Sequence, residues 1–384
     1  MTHDQLAQAL RQAVLQQDFG NTADSMRQGA PVAHFPSIDL AVVAFPRGRP
    51  PVWANVLFSR EHPQGLVAGI DARAGAVRDI HYLADQRDAD LNSIAWFPDS
   101  DWQRLQWKTL AGSGPRRVVA PYPASLLKVM VAVGVALGVD RGLFDWPART
   151  VEDMITVSDN DATTALVALL HRHGLIAPLH ERFKALGLHT LRLDGTQPDG
   201  GWGNGAGAGV GMIQMTAWDT ARLFWLLDAQ APAAPWLPAG TTAVSSASRD
   251  RLRGWLEGQA LHEILSSTVL AGLPGWVPGL PALLPNHWVA DDGSAHVAGH
   301  VYPPDVRRAN ARAEVRFAHK TGTTQNYGSN AGIVQGLPPR QRHYIVALLS
   351  NLGSRYAPSE DCATTWRLPA LGAAIDRVMA EVLE

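Results

Sequence analysis

Residues 121–138 read Pro-Tyr-Pro-Ala-Ser-Leu-Leu-Lys-Val-Met-Val-Ala-Val-Gly-Val-Ala-Leu-Gly. No other stretch limits the fold as strongly. The run is apolar on almost every helical face, and a helix of that kind has to be buried. The rest of the chain must therefore wrap around it. Two residues do not suit a buried helix. Ser125 falls in the first turn, just after Pro123, and Lys128 follows three positions later on the same face. Burial strips a lysine of hydration and disfavours its charged form. An amine in that state, within reach of a serine hydroxyl, is one way to make a nucleophile. The alternative is a capping serine and a lysine whose head group reaches solvent. The pair alone does not decide between them.

The chain has 384 residues, 46% of them hydrophobic and 18% charged, enough for two domains or one large one with insertions. The formal net charge is −2 and no basic run stands out, so neither nucleic acid nor a charged membrane surface is an expected partner. Cys362 is the single cysteine, which excludes an internal disulfide. The N-terminal residues form an amphipathic pattern with no basic segment leading into an apolar one, so no signal peptide is read and a cytoplasmic location is expected. The most apolar run, 129–139, is shorter than the roughly 20 residues that span a bilayer.

Strand patterns fall at 38–45, 52–58 and 66–72, and again at 315–319, 331–335 and 344–350. Helical patterns fall at 151–157, 162–171, 179–186, 216–227, 248–257 and 261–270, with a closing helix at 371–383. Thr216 is a capping residue with Asp219 at the capping-box position. Residues 85–115 are polar and hold Trp96, Trp102 and Trp107, and read as a surface excursion with some helix. Residues 272–312 are rich in Pro, Gly, Trp and His without a period, and read as a long loop. The order predicts an α+β protein with three α/β/α layers: an antiparallel sheet flanked by helices, plus an inserted all-helical domain. Residues 1–118 and 313–384 would form the sheet domain and 119–271 the helical domain carrying the nucleophile. Residues 272–312 would form an inserted loop and possible lid. Ser125 falls where the chain crosses between domains, and such clefts hold small-molecule sites.

Three short patterns occur in order: Ser125-x-x-Lys128, then Ser158-Asp159-Asn160 in a turn between helices, then Lys320-Thr321-Gly322 at the end of a strand. Each is weak alone, since Ser-Asp-Asn suits any turn and Lys-Thr-Gly any hairpin start. In this order and setting they resemble the signature of class A β-lactamases and penicillin-binding proteins. Their flanks are similar too, at 151–163, 186–194, 319–323 and 330–334. The resemblance covers roughly residues 115–270 and 313–384. It implies a serine hydrolase in which Ser125 attacks an activated carbonyl, with Lys128 and Lys320 setting the field that lets its proton leave. Ser158 would bridge the two lysines and relay a proton to the leaving nitrogen. Asn160 would hold Lys128 and the substrate amide, and Lys320 and Thr321 a substrate carboxylate. The backbone N–H groups of Ser125 and Thr323 would form the oxyanion hole, usually the largest catalytic contribution. Gly322 would allow close backbone approach.

Three departures bear on activity. Gln197, in Arg192-Leu193-Asp194-Gly195-Thr196-Gln197-Pro198, stands where the resemblance implies the Ω-loop glutamate that serves as deacylation base. An amide can orient a water in the substrate site but cannot take its proton. Asp199, Asp194 or Lys128 could substitute, although Asp194 is better placed to anchor the loop through Arg192. Only 33 positions separate Ser125 from Ser158, fewer than the family usually has, which should open the cleft. The 272–312 insertion could fold over the cleft and bring Trp276, His287, Trp288, His296 and His300 to the substrate. His296 and His300 are read as incidental rather than metal ligands. The glycine tract at 203–211 lacks the strand and lysine of a phosphate loop.

The expected function is acyl-enzyme chemistry on Ser125 with a small-molecule or peptide-like amide, ester or β-lactam, needing no metal or other cofactor. Alternatives are a true β-lactamase with a displaced base, a D,D-peptidase, and a binding or sensor protein without turnover. Neither the family's carboxylate-binding arginine nor the oligomeric state is legible; Arg355 is the only candidate for the arginine.

Overall fold

The computed structural model describes residues 1–32, 35–86, 104–302 and 305–384. In chain order its strands are Ile38–Ala44 (β1), Val52–Phe58 (β2), Leu66–Val67 (β3), Ile80–Ala84 (β4), Thr109–Ala111 (β5), Arg116–Ala120 (β6), Arg192–Leu193 (β7), Ile213–Gln214 (β8), Ala295–Val297 (β9), His300–Tyr302 (β10), Val315–Thr323 (β11), Gly328–Gly336 (β12) and His343–Ser350 (β13). The α-helices are His3–Leu15 (α1), Lys128–Asp140 (α2), Ala148–Thr156 (α3), Asn160–Arg172 (α4), Ile176–Ala185 (α5), Ala217–Leu227 (α6), Ser246–Glu257 (α7), Arg307–Asn310 (α8) and Arg367–Leu383 (α9).

The main sheet runs β11-β12-β13-β1-β2-β3, antiparallel at every pairing. β1 is buried at every position because it is central and covered on both faces. Alternation along a strand sends Leu40, Val42 and Ala44 one way, into a core shared with Leu6 and Leu10 of α1 and Leu371 and Ile375 of α9. Ala41 and Val43 point the other way, into the core of α2 and its neighbours. Two chain ends thus build one sheet, with the helical residues between them packed on its second face.

Polar groups fix that stacking. The buried Asp39 accepts from Asn55 Nδ2 at 2.7 Å and from the backbone N–H of Ala217, the first residue of α6, at 2.9 Å. Burial pushes its carboxyl up to about 6, while the Ala217 bond pulls it back. α1 opens with a complete capping box: Thr2 Oγ1 accepts from Gln5 N–H, and Gln5 Oε1 accepts from Thr2 N–H. α2 is apolar all round and lies in the middle of the helical layer, as its sequence requires. Gly134 and Gly138 let it pack closely: a Cβ at Gly134 would stand 2.9 Å from Leu170, and one at Gly138 2.3 Å from Phe144.

Several sequence expectations change. The predicted helix at 261–270 is an irregular segment with one 3-10 turn, Thr268–Leu270. Just before it Gln259 Nε2 donates to Ile155 O of α3, and within it His262 Nδ1 meets Ser266 Oγ. The third strand stops at Val67. Of the 85–115 excursion, residues 87–103, with Trp96 and Trp102, lie outside the described residues. The flanking residues form a small sheet, β5-β4-β6, that alternation did not reveal. Asp219 does not close a capping box; its carboxylate accepts from Thr190 and Arg222 instead. The described residues of 272–312 are structured, holding the β9–β10 hairpin and α8 around a core of Leu270, Leu273, Leu284, Val297, Tyr302 and Val306. A trough of about 450 Å³ lies between the 267–281 segment and residues 305–312. Among the described residues no helix is long and apolar enough to cross a membrane.

Candidate active site

Ser125 lies in the 3-10 turn Ala124–Leu127, which leads directly into α2. Ala124, just before it, has a φ of 50°, in the left-handed region that a side chain resists. The turn is clamped from the sheet side. Leu126 N–H and the Ser329 hydroxyl both donate to Pro123 O. Gly322 on β11 faces the turn, and a Cβ there would sit 2.4 Å from Pro123 O and 2.7 Å from Ser125 N. β11 is the edge strand of the main sheet. The Ser125 turn and the end of the edge strand are therefore in backbone contact, and glycine is required for it.

Lys128 is fully buried one turn below. Its Nζ lies 2.6 Å from Ser158 O, 3.1 Å from Ser158 Oγ, 2.8 Å from Asn160 Oδ1 and 3.3 Å from Asp159 O. The Ser158-Asp159-Asn160 turn presents these acceptors because Ser158 adopts a φ of 61°, while Asp159 caps α4 by accepting from Ala162 N–H. Ala124 immediately precedes Ser125 and Ser158 contacts Lys128 Nζ, so both strained residues adjoin the candidate site, where such strain tends to be retained. Burial pushes the Lys128 amine down to about 7, with Asp159 holding it up. At that value neutral and charged forms are comparably populated near neutral pH.

Lys320, also fully buried, faces Lys128 from β11; its Nζ donates to Thr321 O at 3.0 Å. Burial and the Lys128 charge push its amine well below the ordinary lysine value, and Glu263 acts in the opposite sense. The Glu263 carboxyl is itself pushed up to about 7 by burial, with Lys320 pulling it down. Behind Lys320, Asn330 Nδ2 donates to Lys320 O and meets His319 Nδ1, both at 3.0 Å, and its Oδ1 accepts from Leu265 N–H. His319 stacks on Phe317, with ring centroids 4.1 Å apart, and His262 meets it edge-on. Burial holds both imidazoles well below their usual range. The Thr323 hydroxyl has no partner among the described residues.

Ser125, Lys128, Ser158, Asn160, Lys320 and Gly322 are thus brought together. Gln197 is exposed, and its amide donates to Gly195 O at 2.7 Å within its own loop. Asp194 is held by Arg192 at 2.6 and 3.0 Å, the anchoring role expected of it, and Asp199 accepts from Gly201 N–H. From this loop it is Trp202 that reaches the site, its ring centroid 5.4 Å from Lys128 Nζ and its Nε1 donating to Thr164 Oγ1 at 3.2 Å. Trp202 and Glu263 were not singled out from the sequence. A lone tryptophan within a glycine tract was the available signal for the first. Glu263 carried none, because it sits in a stretch with a misleading helical pattern. The aromatic and histidine side chains of the insertion are engaged nearby: Trp276 Nε1 donates to Ser267 O, Trp288 Nε1 to Gly258 O, His287 packs on Trp288, His296 meets Ser294 and His300 packs on Tyr302.

Arg355 is not available to a substrate. It is buried, pairs with the buried Asp24 and also donates to Asn326. Arg355→Ala would strand the Asp24 carboxylate and should cost about 3 kcal/mol in denaturant unfolding while leaving the acylation rate of the folded protein within twofold.

A sequence model of the beta-lactamase enzyme family matches residues 148–365, more than half of the chain. That span includes Ser158, Asn160 and Lys320, while Ser125 and Lys128 precede it. No curated protein matches by sequence. Solved structures resemble the chain distantly. A mutant of PBP-A, in an acyl-enzyme complex with penicillin-G, is 15% identical with a TM-score of 0.48, over 99% of this chain and 96% of that one. A class A beta-lactamase from Bacteroides cellulosilyticus is 14% identical with a TM-score of 0.46, over 99% and 98%. A beta-lactamase from Streptosporangium roseum is 18% identical with a TM-score of 0.39, over 68% and 84%.

Proposed function

Because the chain belongs to the beta-lactamase enzyme family, and so is a hydrolase of the serine β-lactamase type, we propose that it forms an acyl-enzyme on Ser125 and releases the acyl group slowly. The observation that carries the first half is the placement of Lys128. A buried amine poised near 7 lies one turn from Ser125 and 3.1 Å from Ser158 Oγ. Neutral Lys128 takes the Ser125 proton as Oγ bonds to the substrate carbonyl carbon. When the carbon–nitrogen bond (carbon–oxygen in an ester) breaks, that proton passes through the Ser158 hydroxyl to the leaving atom. Lys320 and Thr321 bind a polar group of the substrate, and Asn160 orients both Lys128 and the substrate amide. The N–H groups of Ser125 and Thr323 take the oxyanion.

The second half rests on the loop at 194–202. Gln197 carries an amide that cannot accept a proton, and its side chain is turned back to Gly195 O. Trp202 covers the amine that remains as a base. Water attack on the ester then depends on Lys128 alone. The substrate is a small or peptide-like amide, ester or β-lactam, and ordinary β-lactams are trapped rather than turned over rapidly.

Incubation with a chromogenic β-lactam, followed by colour and by intact mass, tests both halves. The expected result is a burst of one equivalent and a single adduct on Ser125 that decays over minutes or longer. Ser125→Ala should form none. Rapid steady turnover without a populated adduct would refute the slow-release reading. Absence of any adduct with β-lactams and with an ester panel would refute acylation.

A further inference from the structure

At the other end of the catalytic strand lies a concavity of about 710 Å³, within the range of small-molecule sites. Its position follows from the register. Arg316 on β11 pairs with Gln335 on β12, Gln335 with His343 on β13, and the β1–β2 turn closes over His343 as Phe45 N–H donates to His343 O. Gly322 is six residues from Arg316, or about 20 Å along the strand. The two sites are therefore separate.

The lining holds five arginines, Arg47, Arg49, Arg316, Arg340 and Arg342, and not one carboxylate. The chain as a whole has a net charge of −2, so this is a local arrangement and not general basicity. Two of the five are fixed from behind. Arg342 pairs with Asp376, Glu314 and Glu384, and Arg340 with Glu314 and Glu384. Asp228, which pairs with the lining residue His343, is also held by Arg253. Among the described residues Arg49 donates to a carbonyl, Val382 O, at 3.1 Å, and has no carboxylate partner. Arg47 and Arg316 are exposed and have no carboxylate partner among the described residues. Gln335 adds an amide whose orientation is set, since its Oε1 accepts from Arg253 and its Nε2 donates to Gln230 Oε1.

We propose that this concavity binds a compact soluble polyanion bearing two or three phosphate groups. Guanidinium groups match phosphate oxygens bidentately, and three of them without acidic partners around one hollow repel each other until an anion enters. A hollow of this volume, lined by guanidinium groups, suits an oligophosphate.

Inorganic triphosphate is the probe, titrated calorimetrically into the full chain at low and at raised salt. One equivalent should bind at low salt and weaken as salt rises. Arg47→Glu with Arg316→Glu should weaken binding at least tenfold. Arg141→Glu with Arg172→Glu makes the same charge change at exposed positions elsewhere and should stay within twofold. All four positions are exposed, and thermal melts check that each variant folds. No binding by the unmodified chain would overturn the proposal, as would equal weakening in both double variants. Sedimentation with phosphatidylglycerol vesicles in the absence of triphosphate binding would overturn it in favour of a membrane surface.

Discussion

Replacing Lys128 with methionine is expected to slow acylation of Ser125 by about 10³-fold or more, within the range for loss of a positioned general base. Methionine keeps most of the buried volume and removes the proton acceptor. The decisive readout is the pH profile. With Lys128 poised near 7, the acylation rate of the unaltered chain should rise as pH increases through about 7 and then level off, because in the proposed mechanism only the neutral amine accepts the Ser125 proton. The variant should lose that rising limb. Stability carries the same signature with a defined sign. The folded amine releases its proton near 7, and the unfolded lysine near its ordinary 10.5. Between those values the unfolded chain binds the extra proton, so stability rises with pH across that window and the burial penalty is complete below it. Lys320 contributes in the same direction. The difference in slope between the two proteins isolates the Lys128 part. A variant that kept both the rate and the pH limb would remove Lys128 from the chemistry.

Much of this site was legible because its parts are local. Ser125 and Lys128 share one turn, Ser158 to Asn160 form another, and Lys320 to Gly322 end a strand, so each declares itself within a few residues. The main sheet was equally readable, since β1, β2 and β13 are apolar runs of strand length. What stayed hidden depends on tertiary placement. Gln197 stands where the sequence resemblance implies a carboxylate, yet three-dimensional proximity to Lys128 belongs to Trp202, five residues on. Glu263 acquires its relation to Lys320 only through an irregular segment whose apolar residues mimic a helical period. Its backbone is committed instead to β12 and the insertion: Asn330 accepts from Leu265 N–H, and Leu280 N–H donates to Leu265 O. The insertion looked structureless because its hairpin strands have three residues each, too short for alternation to show.

Gly322→Ala should be as damaging as removing the base, though it adds one methyl group and removes nothing. The new Cβ would lie 2.4 Å from Pro123 O, 2.6 Å from Leu126 N and 2.7 Å from Ser125 N. All three are backbone atoms, so no side-chain rotation relieves the contact. The edge strand and the nucleophile turn must separate. A displacement near 1 Å can cost about 10²-fold through lost alignment of reacting groups. Disrupting an oxyanion donor costs about 10²–10³. Together a loss of at least ~10³-fold in acylation is expected, with a destabilisation of about 1–3 kcal/mol from overpacking. Gly336→Ala separates the two effects. Its Cβ would also meet backbone, 2.6 Å from Arg340 O, but at the arginine-lined end of the sheet. It should lower stability in denaturant while the folded protein acylates at the normal rate. If Gly322→Ala also acylated normally, the close approach of β11 to the Ser125 turn would be a packing feature without a part in placing the nucleophile.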